Sequence, residues 1–137
     1  MRPDLLKEAW RWLKQAERDF MDACFVLSGR RYNLCCFLAQ QSAEKALKAY
    51  LYAKGNEEVW GHSVAELCAD AYKIDKDFRK IKRQSNSLDK YYIPTRYPNG
   101  LPGGIPSEVY QRQDAKEALT KADRIIKFVK KKIEEVK

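Results

Sequence analysis

The stretch YNLCCFLAQQSAEKALKAYLYAKG, residues 32–55, decides the fold. Tyr32, Cys36, Ala39, Ala43, Ala46 and Tyr50 recur every three or four residues, the period of one face of an α-helix, and Gly55 stands just beyond them. The small side chains of Ala39, Ala43 and Ala46 allow another helix to approach closely, from the same chain or from a second copy.

N-terminal to this stretch, Leu5, Ala9, Trp12, Ala16, Phe20, Ala23 and Leu27 carry the same period and predict a long first helix, with Asp4 as N-cap and Ser28-Gly29 as its end. Trp10, Leu13 and Cys24 widen the apolar stripe, so this helix should touch more than one neighbour. A link of only Gly29 to Arg31 makes the two helices antiparallel.

On the C-terminal side, GHSVAEL (61–67) carries a capping box, Ser63 with Glu66, and predicts a short third helix. A fourth helix is expected from about Asp75, with Ile74, Phe78, Ile81, Ser85, Leu88 and Tyr92 on one face and a stop enforced by Pro94. Residues 93–113 hold four of the five prolines and three of the six glycines, a long irregular stretch of the kind that in compact domains is either functional or disordered. The last helix should begin at Asp114, capped with Glu117, and run through Leu119, Ala122, Ile126, Val129 and Ile133. No segment alternates with period two. The expected fold is therefore all-α: an up-and-down bundle of four long helices plus one short helix, with a Pro/Gly-rich loop before the last.

A chain of 137 residues suits one domain spanning its whole length, with a modest core that needs no disulfide or metal. The formal charge of +8 is uneven: Lys73 to Arg96 holds eight basic against three acidic residues. Such a field attracts phosphates, nucleic acid or an acidic partner, although a solvated lysine face produces the same run. Cys24, Cys35, Cys36 and Cys68 lack metal-ligand spacing and read as small buried hydrophobes in a reducing compartment. MRPDLLKEAW is charged too early for a signal peptide, and no window is apolar enough for a membrane span, so a soluble cytoplasmic protein is expected.

Few residues could do chemistry. Phosphate-binding glycine loops, dinucleotide fingerprints and metal clusters are missing, so neither a cofactor nor a metal is expected. His62 is the only histidine and the default acid–base group, or else its ring staples the third helix by packing on Leu67. In LDKYYIPTRYPNGLPGG (88–104), Arg96 stands among Tyr91, Tyr92 and Tyr97, where turn formation calls for no arginine. A guanidinium can grip phosphate through paired hydrogen bonds while tyrosines stack on a base; alternatively Arg96 pairs with a helix carboxylate and the tyrosines lid the bundle. Gln41, Glu44, Lys45 and Lys48 share one stripe of the second helix, either solvated surface or the wall of a pocket beneath the loop. The candidate ligand-binding set is Arg96, Tyr97, Tyr92, Lys48, Lys45, Gln41 and His62, and if the chain is an enzyme, His62 and Arg96 are its catalytic pair.

WLKQAERDF, FLAQQSAEKALKAYLYAKG, GHSVAEL and LDKYYIPTRYPNGLPGG, in this order, resemble the HEPN domain over nearly the whole chain. The resemblance implies a helical bundle, homodimerisation, a small nucleotidyltransferase as partner, and nucleotide or RNA binding. Many members of the wider family are RNA-cleaving toxins of toxin–antitoxin pairs, with four to six residues between an arginine and a following histidine. Here the corresponding positions before His62 are Gly55, Asn56 and Glu57, and no histidine follows Arg96. That departure implies a loop that binds rather than cuts; the alternatives are a metal-independent ribonuclease with atypical residues and a pure interaction scaffold.

Overall fold

The computed structural model describes residues 3–136; Met1 and Arg2 of the charged N-terminus, and Lys137, lie outside them. Its helices are α1 (Pro3–Ser28), α2 (Tyr32–Ala53), α3 (Val64–Ile74), α4 (Lys82–Leu88), α5 (Pro106–Val109) and α6 (Arg112–Glu134), and the described residues contain no strand. The all-α bundle expected from the periodicity is what forms.

Helix α2 is the axis of the bundle, packed chiefly on α1 and α6 and more lightly on α3. Fourteen of its 22 residues are buried, which an amphipathic surface helix could not achieve. Ala39, Ala43, Ala46 and Ala49 are fully inaccessible, as are Ala9, Ala16 and Ala23 of α1 and Ala115, Ala118 and Ala122 of α6. These alanines let three helices of one chain approach closely, so the reading in which α2 offers them to a second copy is overturned. Burial pushes the Cys35 and Cys36 thiols up to about 12, leaving both as neutral, space-filling groups. Cys24 departs from the buried-cysteine expectation and is exposed.

The helix ends differ in detail from the reading above. Helix α1 already includes Pro3, so Asp4 belongs to its first turn. At its other end the left-handed residue is Arg30, φ 61°, rather than Gly29, and Arg31 N–H donates to the Val26 carbonyl at 3.0 Å. The expected fourth helix is three pieces: a 3-10 segment Lys76–Ile81, helix α4, and a 3-10 turn Asp89–Tyr91. Phe78, Ile81, Ser85 and Leu88 are buried as the period required, but Ile74 ends α3 and is exposed. Tyr91, not Tyr92, completes the core face, because the tighter 3-10 turn rotates the chain before Pro94. Helix α6 starts two residues before Asp114, whose carboxylate accepts from the Gln111 N–H at 2.8 Å.

Candidate functional site

The loop is nailed down by alternate residues. The Asp89 carboxylate accepts from Ser63 Oγ and Val64 N, both at 2.6 Å, so it caps α3 from another element. Ser63 accepts from Glu66 N at 3.1 Å as the capping pattern required, and Asp89 takes up two further first-turn donors, Val64 N and Ala65 N. Tyr91 fills the core, and the fully buried Thr95 donates to the Tyr91 carbonyl at 2.6 Å. Asn33 of α2 donates to the Thr95 carbonyl at 3.1 Å, tying the turn to the bundle. At Gly100 an added Cβ would stand 2.9 Å from Pro94 Cα, so this glycine permits the loop to fold back on its own proline.

The residues between these anchors face outward. Arg96 N–H donates to the Ile93 carbonyl at 3.0 Å, and this helical turn sets the Arg96 side chain over Tyr92, four residues before it. Its Nε donates to the Tyr92 carbonyl at 2.9 Å. The guanidinium carbon lies 4.3 Å from the ring centre of Phe37, 4.8 Å from that of Tyr92 and 5.1 Å from that of Tyr97. Among the described residues no carboxylate pairs with Arg96, so the reading that spends it on a helix acid is set aside. Three ring faces hold the cation, and its outer nitrogens are left for another partner.

His62 meets the same cluster. Its ring stacks on Tyr92, centroids 5.1 Å apart and planes 17° from parallel, so it does not serve as a staple within α3. Its Nδ1 lies 3.2 Å from Glu44 Oε1. A carboxylate accepts, so Nδ1 is the donor in this contact.

Glu44 is the centre of a polar row that the bundle has buried. It is 3% exposed and faces Lys48 Nζ at 3.3 Å and Gln41 Nε2 at 3.4 Å. Gln41 also donates to Gln40, whose own amide donates to the His62 carbonyl at 2.9 Å. Lys48, 6% exposed, sits 5.6 Å from the Trp12 ring centre. The stripe read as solvated surface is thus an internal network behind His62.

Of the sequence-predicted residues, Arg96, Tyr92, Tyr97 and His62 come together, while Lys48 reaches that cluster through Glu44 and Gln41 through Glu44 and Gln40. Lys45 does not join it: its ammonium pairs with Asp19 of α1. Phe37 was missed, and Glu44, named in the stripe of the second helix, was left out of the candidate ligand-binding set. Phe37, Gln41, Glu44 and Lys48 follow one another at four, three and four residues, the helical row that could have revealed both. A shallow depression beside the imidazole is lined by His62, Ser63, Glu66, Asp89 and Tyr92, and its two carboxylates disfavour an anion there. Among the described residues no group of histidine, cysteine or acidic side chains could hold a metal, and no helix is long and apolar enough to cross a membrane.

The model of the HEPN domain matches residues 9–133, and the chain belongs to that family. A structure from Thermus thermophilus is similar at 41% identity and a TM-score of 0.82, over 90% of this chain and 97% of that one. A structure described as an archaeal HEPN homologue is also 41% identical, with a TM-score of 0.76 over 91% and 97% of the two chains. The Methanocaldococcus jannaschii protein MJ1304, provisionally named a toxin, is 28% identical over 134 residues, covering 91% of this chain and 88% of the relative.

Proposed function

We propose that this HEPN domain is a binding module that takes a phosphate-bearing ligand, a nucleotide or an RNA, on the Arg96 side of Tyr92. The observation that carries the reading is the state of the Arg96 guanidinium: Nε is spent on a backbone carbonyl, three rings hold the plane, and the outer nitrogens have no described partner. A cation preorganised in this way loses little entropy when it grips a phosphate. Tyr97, half exposed, offers a face for a base. Homodimerisation and a small nucleotidyltransferase partner belong to the same proposal, tested by sedimentation and by co-purification.

Titration with ATP, GTP and a short RNA at low and high salt tests the site. The expected result is salt-sensitive binding that weakens at least tenfold in Arg96→Ala, with Arg96→Lys recovering little because an ammonium cannot reproduce the planar stack. Equal affinity in wild type and Arg96→Ala would remove the proposal.

A second reading is metal-independent RNA cleavage, in keeping with the toxin name of the archaeal relative. It is favoured by one observation: Tyr92 brings His62 and Arg96 to a single ring, with a buried carboxylate behind the imidazole. In that scheme His62 Nε2 exchanges the proton, Arg96 faces the phosphorane charge, and Glu44 positions the imidazole. Cleavage in the presence of EDTA that is lost in His62→Ala supports it; cleavage indifferent to that change excludes it.

A further inference from the structure

We infer that the face between α4 and α6 is a second anion site, built for the sugar–phosphate backbone of a single-stranded polynucleotide. An open groove of about 780 Å³ runs there, and Arg83, Lys121, Arg124 and Lys127 line it. Neither the basic segment nor α6 reveals it alone, because Arg83 is brought beside the other three only by packing.

What sets this groove apart is that its cations converge on one concavity. Several cations elsewhere are neutralised, Arg11 by Glu8, Arg18 by Asp22, Lys45 by Asp19, Lys130 by Glu17 and Lys132 by Asp75 and Asp77. In the groove Lys127 holds Asp123 at 2.9 Å, but no described carboxylate pairs with Arg83, Lys121 or Arg124. Arg124 has only the Lys80 carbonyl, at 3.5 Å. Three unneutralised cations converging on one concavity repel one another, and an anion entering it relieves that repulsion.

Its shape argues for a strand rather than a small anion. Across Thr120 and Lys121 the groove continues into a second open depression that also includes Lys116 and Glu117, whose carboxylate accepts from the Gln113 amide. Lys116 to Lys127 spans roughly 16 Å along α6 at about 1.5 Å per residue, room for several phosphates in succession. Ser87 and Thr120 donate to carbonyls of their own helices, so their oxygens remain acceptors for a sugar hydroxyl. No aromatic ring lines the groove, so it should follow the backbone without reading bases.

The inference stands apart from the Arg96 cluster, none of whose residues line the groove. Fluorescence anisotropy with a labelled 20-nucleotide oligo(U) at increasing salt tests it, alongside ATP titration. The double variant Arg83→Glu/Lys121→Glu, its helicity checked by circular dichroism, is expected to bind oligo(U) at least tenfold more weakly. Its logarithmic salt slope should shrink by about 1.4, two single-strand phosphates at about 0.7 each, while ATP affinity changes by less than twofold. Lys7→Glu/Lys14→Glu imposes the same net charge change on α1 and should keep most of the affinity and slope. Absence of oligo(U) binding in wild type, an unchanged slope in the groove variant, equal losses in both variants, or equal binding of poly-glutamate would overturn the inference. Loss of ATP binding in Arg96→Ala alone bears on the other site only.

Discussion

At the scale of single residues, the telling group is Glu44, a carboxylate almost wholly removed from water and answered by Lys48, Gln41 and His62. Buried ion pairs contribute little net stability, but removing one partner leaves the other uncompensated in a poor solvent for charge. Lys48→Met should therefore cost about 3 kcal/mol, although methionine matches much of the lysine stem, and chemical denaturation would measure it. A loss below about 0.5 kcal/mol would mean that Glu44 does not depend on Lys48. Arg96 was legible in the sequence because nothing in a turn explains an arginine. Its cradle was not, since Phe37 comes from a helix 59 positions earlier and only tertiary contact places it 4.3 Å from the guanidinium.

At the scale of elements, periodicity and breakers located α1, α2, α3 and α6 to within a few residues, because a helix buried on one face must repeat its apolar side chains at that interval. The fourth segment shows where that logic stops. A core face at three- and four-residue spacing is served nearly as well by 3-10 turns flanking a short α-helix, and the period does not separate them. Capping was half legible in the same way. Ser63 marked the start of α3, but Asp89, 26 residues on, provides the second acceptor and thereby joins the loop to that helix. Asp89→Ala is expected to cost about 1–2 kcal/mol by denaturant unfolding, the upper range for a lost cap. Amide exchange should quicken at Val64 and Ala65 before the rest of α3. If the two amides keep their protection, another group caps the helix.

At the scale of the whole molecule, Lys132 near the end of α6 clasps Asp75 at 2.7 Å and Asp77 at 2.8 Å, joining the C-terminal helix to the segment that follows α3. The hydrogen bonds from Lys132 hold both carboxyls below the usual carboxylate range, and those same bonds raise the Lys132 ammonium above its ordinary value. Groups with lowered pKa stabilise the fold above their unfolded value, near 4, and cease to do so as pH falls through the lowered folded values. The Lys132→Met variant should accordingly melt below wild type at pH 7, with the gap closing toward pH 2. A gap of constant size across that range would show that the clasp acts by packing rather than charge.

Amino-acid order alone determined that the chain is helical, where its main helices run and which faces are apolar. These are local properties, encoded in spacing, caps and prolines within a few residues of one another. The tertiary structure decided what the polar residues face. It turned the α2 stripe inward onto His62, separated Lys45 from the cluster, and set Arg96 on a ring from α2. It also gathered Arg83 with the cations of α6. Whether a charge meets water, a ring or an opposite charge depends on segments far apart in sequence, and burial, which sets the strength of each such contact, exists only once the helices have packed.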